Sequence, residues 1–123
     1  DDYQYGHGTH VVGTIVGRRA TDGVTESDGA ADGVARSAKV AFADIGFPSG
    51  SLFVPSNIRV LKTGRTGTPR AHIHSASWGS ETAQYTTTAR DFDRYMYEND
   101  DFLVNVAAGN GGRDDKLYTV GSP

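Results

Sequence analysis

The chain has 123 residues, with twelve Lys and Arg against fifteen Asp and Glu and a net charge of −3. That length accommodates one small domain, and the mildly acidic balance argues against nucleic-acid or anionic-membrane binding, because both want a basic patch. With no cysteine, disulfides, zinc–thiolate sites and cysteine nucleophiles are excluded, and no apolar run approaches the ~20 residues of a membrane span.

The segment from Gly6 to Gly17 reads GHGTHVVGTIVG. Val11, Val12, Ile15 and Val16 follow the i, i+1, i+4, i+5 spacing of an apolar helical face, which predicts a buried helix. Gly13 and Gly17 cost about 1 kcal/mol each in a helix interior, so their spacing suggests a close neighbour. Residues 18–35 read as loop. Within it, Ala20 to Gly33 carries three Asp-Gly pairs and almost no large apolar side chain. Asp22, Asp28 and Asp32 lack the alternate spacing of a calcium loop, so the stretch reads as a solvated loop, with an irregular cation site as the alternative.

Ala38 to Ile45 is short, apolar and bounded by turn signals, which predicts a buried strand. The following GFPSGSLFVPSN is turn-rich. A helix is expected over Ser56 to Lys62, with Ser56 as its N-cap and Gly64 to Pro69 ending it. Ala71 to Ser77 reads as a second strand. Thr86 to Glu98 reads as a helix with Ala89, Phe92 and Met96 on one face and an Arg94–Glu98 pair at i, i+4. Phe102 to Ala108 reads as a third strand that opens into Gly109-Asn110-Gly111-Gly112. Short apolar strands alternating with helices predict an α/β fold, a parallel sheet with helices on both faces. Ligand sites in such sheets lie at the carboxyl ends of the strands. Two unusual loops leave those ends: Ser77-Trp78-Gly79-Ser80 and Gly109-Asn110-Gly111.

No phosphate-loop motif occurs, and the nearest G-x-G-x-x-G, at Gly6 and Gly8, has Val11 in the third glycine position. His7 and His10 stand at i, i+3 without an adjacent Glu, which is not the zinc-helix pattern. His72 and His74 alternate and so share a strand face; a packed or hydrogen-bonded pair explains them without a metal. His7 leads the first helix, where a ring nitrogen can face a cleft. Imidazole titrates close to neutrality, which suits general-base work. Asn110 follows a strand of small residues. Its amide can donate to an oxyanion without carrying charge, or it can be a turn asparagine tolerant of the left-handed region.

Taken together, HGTHVVGT (His7–Thr14), Ser77-Trp78-Gly79-Ser80 and Ala107-Ala108-Gly109-Asn110 resemble, in order, three motifs of the subtilisin-like serine peptidases, the subtilases of peptidase family S8. The resemblance covers nearly the whole chain. It implies an incomplete subtilisin-like three-layer α/β fold, with residues 1–123 forming part of a catalytic domain. By the same resemblance His7 is the general base, His10 is structural and Asn110 donates to the oxyanion. Ser77, Trp78, Gly79 and Ser80 line the substrate cleft, with Ser77 to Gly79 pairing with substrate backbone. Ala107, Ala108 and Gly109 form a wall of the pocket for the side chain before the scissile bond.

The departures from the family pattern are specific. Triad order along a subtilase chain is Asp, His, Ser. Only six residues precede His7, and Asp1 and Asp2 match the variable lead-in. Asp44 lies downstream of the histidine. No G-T-S-[MA] nucleophile motif occurs. Asn105 stands where the family has an apolar residue, and a buried amide there would need partners. Both ends read as cuts through a longer chain, and the 123 residues alone are expected to be inactive. The resemblance implies a secreted or secretory-pathway parent, monomeric, acting on polypeptides as a serine endopeptidase. It identifies no cofactor here and leaves room for calcium in the parent. The alternative is a non-catalytic subtilase-like domain that binds peptides.

Overall fold

A computed structural model describes residues 6–19, 29–55, 57–112 and 116–123. The chain divides into two compact units, Asp1–Val54 and Pro55–Pro123.

In the first unit, α1 spans His7–Val16. It starts where Gly6 adopts φ 82°, a left-handed conformation that glycine takes without steric cost. The Gly6 carbonyl then accepts the His10 N–H at 2.8 Å. At the other end the chain folds back. The N–H groups of Gly33, Val34 and Ala35 donate to the carbonyls of Gly17, Thr14 and Ile15 at 2.7, 3.1 and 2.7 Å. Carbonyls that a helix C-terminus leaves without intrahelical donors are thereby satisfied. Gly33 makes this possible, because a Cβ there would lie 2.7 Å from the Gly17 nitrogen and the Ile15 carbonyl.

Three expectations for this unit are corrected. No residue of α1 is buried; its apolar stripe of Val11, Val12, Ile15 and Val16 is only half-covered. A Cβ at Gly13 would meet nothing within 4 Å, whereas one at Gly17 would run into the Gly13 carbonyl oxygen, so the close approach holds at Gly17, against which Gly33 also packs, and not at Gly13. Residues 38–45 form no strand: a strand persists only with a ladder partner for its backbone groups, and no described residue lays one alongside. Phe42 is 63% exposed. Among the described residues the pairing near this stretch is an antiparallel bridge, Gly46 to Leu52, closed by the Phe47 N–H to Ser51 O (2.9 Å) and the Phe53 N–H to Ile45 O (2.8 Å). Much of the loop expected over Ala20–Gly33, like Ser56 and the Asp1–Asp2 lead-in, lies outside the described residues.

The second unit holds α2 (Asn57–Thr66), β1 (Ile73–Ala76), α3 (Thr87–Glu98) and β2 (Leu103–Val106). α2 runs through Gly64 to Thr66, past its expected end at Lys62. Thr63 and Thr66 hydroxyls donate back to the Arg59 and Lys62 carbonyls at 2.9 Å each, and the helix stops before Gly67. Thr86 caps α3, its hydroxyl accepting the Ala89 N–H at 3.2 Å. Phe92 and Tyr95 are buried on the inner face of α3. Asn99 ends the helix by donating its side-chain amide to the Tyr95 carbonyl at 2.9 Å.

β1 and β2 pair in parallel, with Ile73 opposite Leu103 and Ala76 opposite Val106. Period-2 alternation places His74, Ala76, Val104 and Val106 on one face. Leu61, Phe92, Tyr95 and Phe102 form the core, with Val104 and Trp78 packed against it. Tyr95 meets Phe102 edge-on at 5.2 Å between centroids. The opposite face carries Ile73, 64% exposed, and Leu103, 51% exposed. Asn105 also lies on that open face, so the partners a buried amide would require are not needed. At the amino ends of the strands Arg65 donates to the Asp101 carboxylate, and the His72 Nδ1 lies 3.1 Å from the Asp101 carbonyl oxygen.

Candidate active site

Parallel pairing decides where the two chemically unusual loops go. Ala76 pairs with Val106, and the Ala107 N–H donates to the Ala76 carbonyl at 3.0 Å. The chain therefore leaves both strands side by side at their carboxyl ends. Ser77–Ser80 and Ala107–Asn110 emerge as neighbours, the arrangement expected of a ligand site in a parallel sheet.

Ala107, Ala108, Gly109 and Asn110 are all exposed. Gly109 has φ +87°, a turn that an L side chain resists by about 1–2 kcal/mol, and it sets the direction in which Asn110 departs. Beyond it, a Cβ at Gly111 would approach the Thr119 Cβ to 3.2 Å. The Asn110 amide is thus presented to solvent from a turn held close to the 119 segment.

Ser77 and Trp78 are half-buried, and Gly79 and Ser80 are exposed. Trp78 packs edge-on against Phe92, with centroids 6.2 Å apart and an interplanar angle of 73°. The site segment thus rests on the core through one indole–phenyl contact. A further support is Ser122, whose carbonyl accepts the Ser80 N–H at 2.8 Å. Ser122 lies in none of the sequence motifs. It is the only polar residue buried among the described ones, at 6% exposure, and no local pattern distinguishes it.

His7 is the first residue of α1, in the other unit, and is exposed; His10, one turn on, is exposed as well. His72 and His74 part company. His72 precedes β1 and is exposed, whereas His74 packs edge-on to Phe92 at 6.1 Å. Burial holds the His74 pKa below its ordinary value, since a desolvated imidazolium is disfavoured. The buried His74 Nε2 has no hydrogen-bond partner among the described residues. Among the described residues no three His, Asp or Glu side chains gather closely enough to share a metal ion. Asp32, the described member of the loop aspartates, pairs with Arg36 at 3.0 Å; Asp22 and Asp28 lie outside the described residues. No helix among the described residues is long and apolar enough to cross a membrane.

A model of the subtilase family matches residues 1–123. The chain belongs to the subtilase family. Among curated proteins it is similar to the serine protease/ABC transporter B family protein tagA of Dictyostelium discoideum, 38% identical over 108 residues. That match covers 85% of this chain and 6% of the relative. It is also similar to tagD of the same name and organism, 34% identical over 125 residues, covering 97% of this chain and 7% of the relative. The subtilase chain thus spans less than a tenth of the length of these relatives. No solved structure matches it significantly.

Proposed function

We propose that residues 1–123 form part of the catalytic domain of a serine endopeptidase of the subtilase family, with His7 as general base and Asn110 as oxyanion donor. The observation that carries this reading is the family match over the full chain, joined to the emergence of Ser77–Ser80 and Ala107–Asn110 side by side from one end of a parallel pair. In this reading the fold is a three-layer α/β sandwich, and the open Ile73/Leu103 face of the sheet belongs under a further layer. Support for that is physical: apolar side chains on an uncovered sheet face are costly to expose.

The chemistry follows from what each group can do. His7 takes the proton of a serine hydroxyl as that oxygen attacks the scissile carbonyl, then returns it to the departing amine. The carbonyl oxygen becomes an anion in the transition state. The Asn110 amide, neutral and exposed on a fixed turn, stabilises that charge by donating to it. Ser77–Gly79 aligns the substrate as an added strand, and Ala107–Gly109, lacking bulk, lets a side chain approach the backbone. The serine nucleophile and the carboxylate that orients His7 come from segments of the full-length protein other than these 123 residues. The substrates are polypeptides and the acting species is a monomer outside the cytosol; this setting rests on family resemblance and is checked by fractionation and sizing of the native protein.

The deciding experiment is His7→Ala in the full-length protein. In subtilisin itself, loss of the triad histidine costs about 2 × 10⁶ in kcat, and a loss of that order is expected, with unchanged folding. The 123-residue chain alone should hydrolyse nothing, because His7 then has no nucleophile to activate. Unimpaired turnover by the His7 variant would refute the assignment. A wild-type protein that binds peptides without cutting them would establish the non-catalytic alternative.

A further inference from the structure

Ser122 is embedded in a small, fully used hydrogen-bond network. Its backbone carbonyl accepts from the Ser80 N–H at 2.8 Å and from the Ser80 hydroxyl at 3.2 Å. Its N–H donates to the Thr82 carbonyl at 2.8 Å. Its hydroxyl lies 2.6 Å from the Thr86 hydroxyl. Thr86 Oγ1 already accepts the Ala89 N–H at the start of α3. Either hydroxyl can donate in that pair, because the Pro123 carbonyl oxygen lies within reach of both, 3.5 Å from Thr86 Oγ1 and 3.4 Å from Ser122 Oγ. One buried residue thus ties the loop after β1 to the capped end of α3. The contact is tight: a Cβ at Gly79 would lie 3.2 Å from the Ser122 carbonyl oxygen.

We infer that Ser122 is a positioning residue for the substrate-aligning segment Ser77–Ser80, acting through Ser80 and the Thr86 cap without touching substrate. This inference rests on the proposed peptidase reading. The physical case is that a strand offered for backbone pairing is useful only if its own N–H and C=O groups hold still. Ser77–Ser80 lies beyond the last ladder residue of β1, Ala76. Trp78 fixes the segment from the core side, and Ser122 fixes it from the chain's last residues. A loosened segment must be ordered by the substrate at the moment of binding, which weakens affinity for substrates that reach it. Chemistry at the scissile bond is unaffected.

The test uses the full-length protein with Ser122→Ala, which cuts the hydroxyl link to the Thr86 cap; the Ser122 carbonyl still meets the Ser80 N–H and hydroxyl, but from a residue no longer anchored to α3. A buried hydroxyl pair contributes a net amount equivalent to about two- to tenfold in an equilibrium. KM for extended peptide substrates should rise by about that factor with kcat unchanged, while short amide substrates are cleaved as before. Amide exchange over residues 78–82 should quicken by a similar factor, and Ser122→Thr should restore both. Equal losses on short and long substrates, or unchanged exchange, would overturn the inference. A wild-type protein with no peptidase activity would instead sink the peptidase reading and with it the role in catalysis; the exchange measurement would still decide whether Ser122 stiffens the segment.

Discussion

Phe92→Ala is the substitution that most directly couples the core to the site. Phe92 is 3% exposed and joins Leu61, Tyr95 and Phe102 in the only apolar cluster among the described residues. Removing a buried phenyl ring costs about 3–5 kcal/mol when the surroundings cannot collapse into the space. That figure includes the two edge-on contacts, to Trp78 at 6.2 Å and to His74 at 6.1 Å, each worth about 0.5–1.5 kcal/mol. A unit of about 70 residues, Pro55–Pro123, has a net stability of roughly 3.5–10 kcal/mol at the usual value per residue. The substitution therefore takes away a large share of what holds the second unit together. Hydrogen exchange of peptides spanning 87–106 in the full-length protein should accelerate by about a hundred- to several thousandfold, at 1.4 kcal/mol per decade. Trp78 loses its support in the same event, so any peptidase activity should fall too. Phe92→Leu retains most of the volume and should raise exchange only about tenfold. An alanine variant whose exchange rises less than tenfold would refute this account of the core.

Two further outcomes are expected. Asn110→Ala in the full-length protein should lower kcat by about 10²–10³ with KM little changed, because the amide acts on charge that develops only in the transition state; a change confined to KM would mean ground-state contact. The second unit should lose stability as pH falls below the ordinary imidazole range near 6.5: His74 is depressed in the folded state, so the unfolded chain binds the proton first, and the loss continues down to the folded-state pKa. Denaturation midpoints measured from pH 8 to 5 should show this slope, and His74→Phe should flatten it; an equal slope in the variant would remove His74 as its source.

The sequence alone determined the parts of this protein whose signal is local. Ala89, Phe92 and Met96 at helical spacing mark α3 over Thr86 to Glu98, because that periodicity is local; that Thr86 is its cap and not its first residue shows only in the structure. The stretches Ala71 to Ser77 and Phe102 to Ala108 mark both paired strands for the same reason, though only Ile73–Ala76 and Leu103–Val106 form the ladder. The motifs at His7, Ser77 and Ala107 identified the subtilase family, since motif order survives in the chain whatever its packing. Tertiary structure decided what depends on distant partners. Residues 38–45 carry the apolar run of a strand, but a strand needs a ladder, and no neighbour among the described residues supplies one. The α1 stripe predicts burial, yet burial belongs to whatever lies opposite, and none of its residues is buried. Asn105 looked like a buried amide until the sheet showed its face open. Ser122 and Thr86 stand 36 residues apart and meet at 2.6 Å; no periodicity encodes a contact that exists only because two loops are folded onto the same end of a helix.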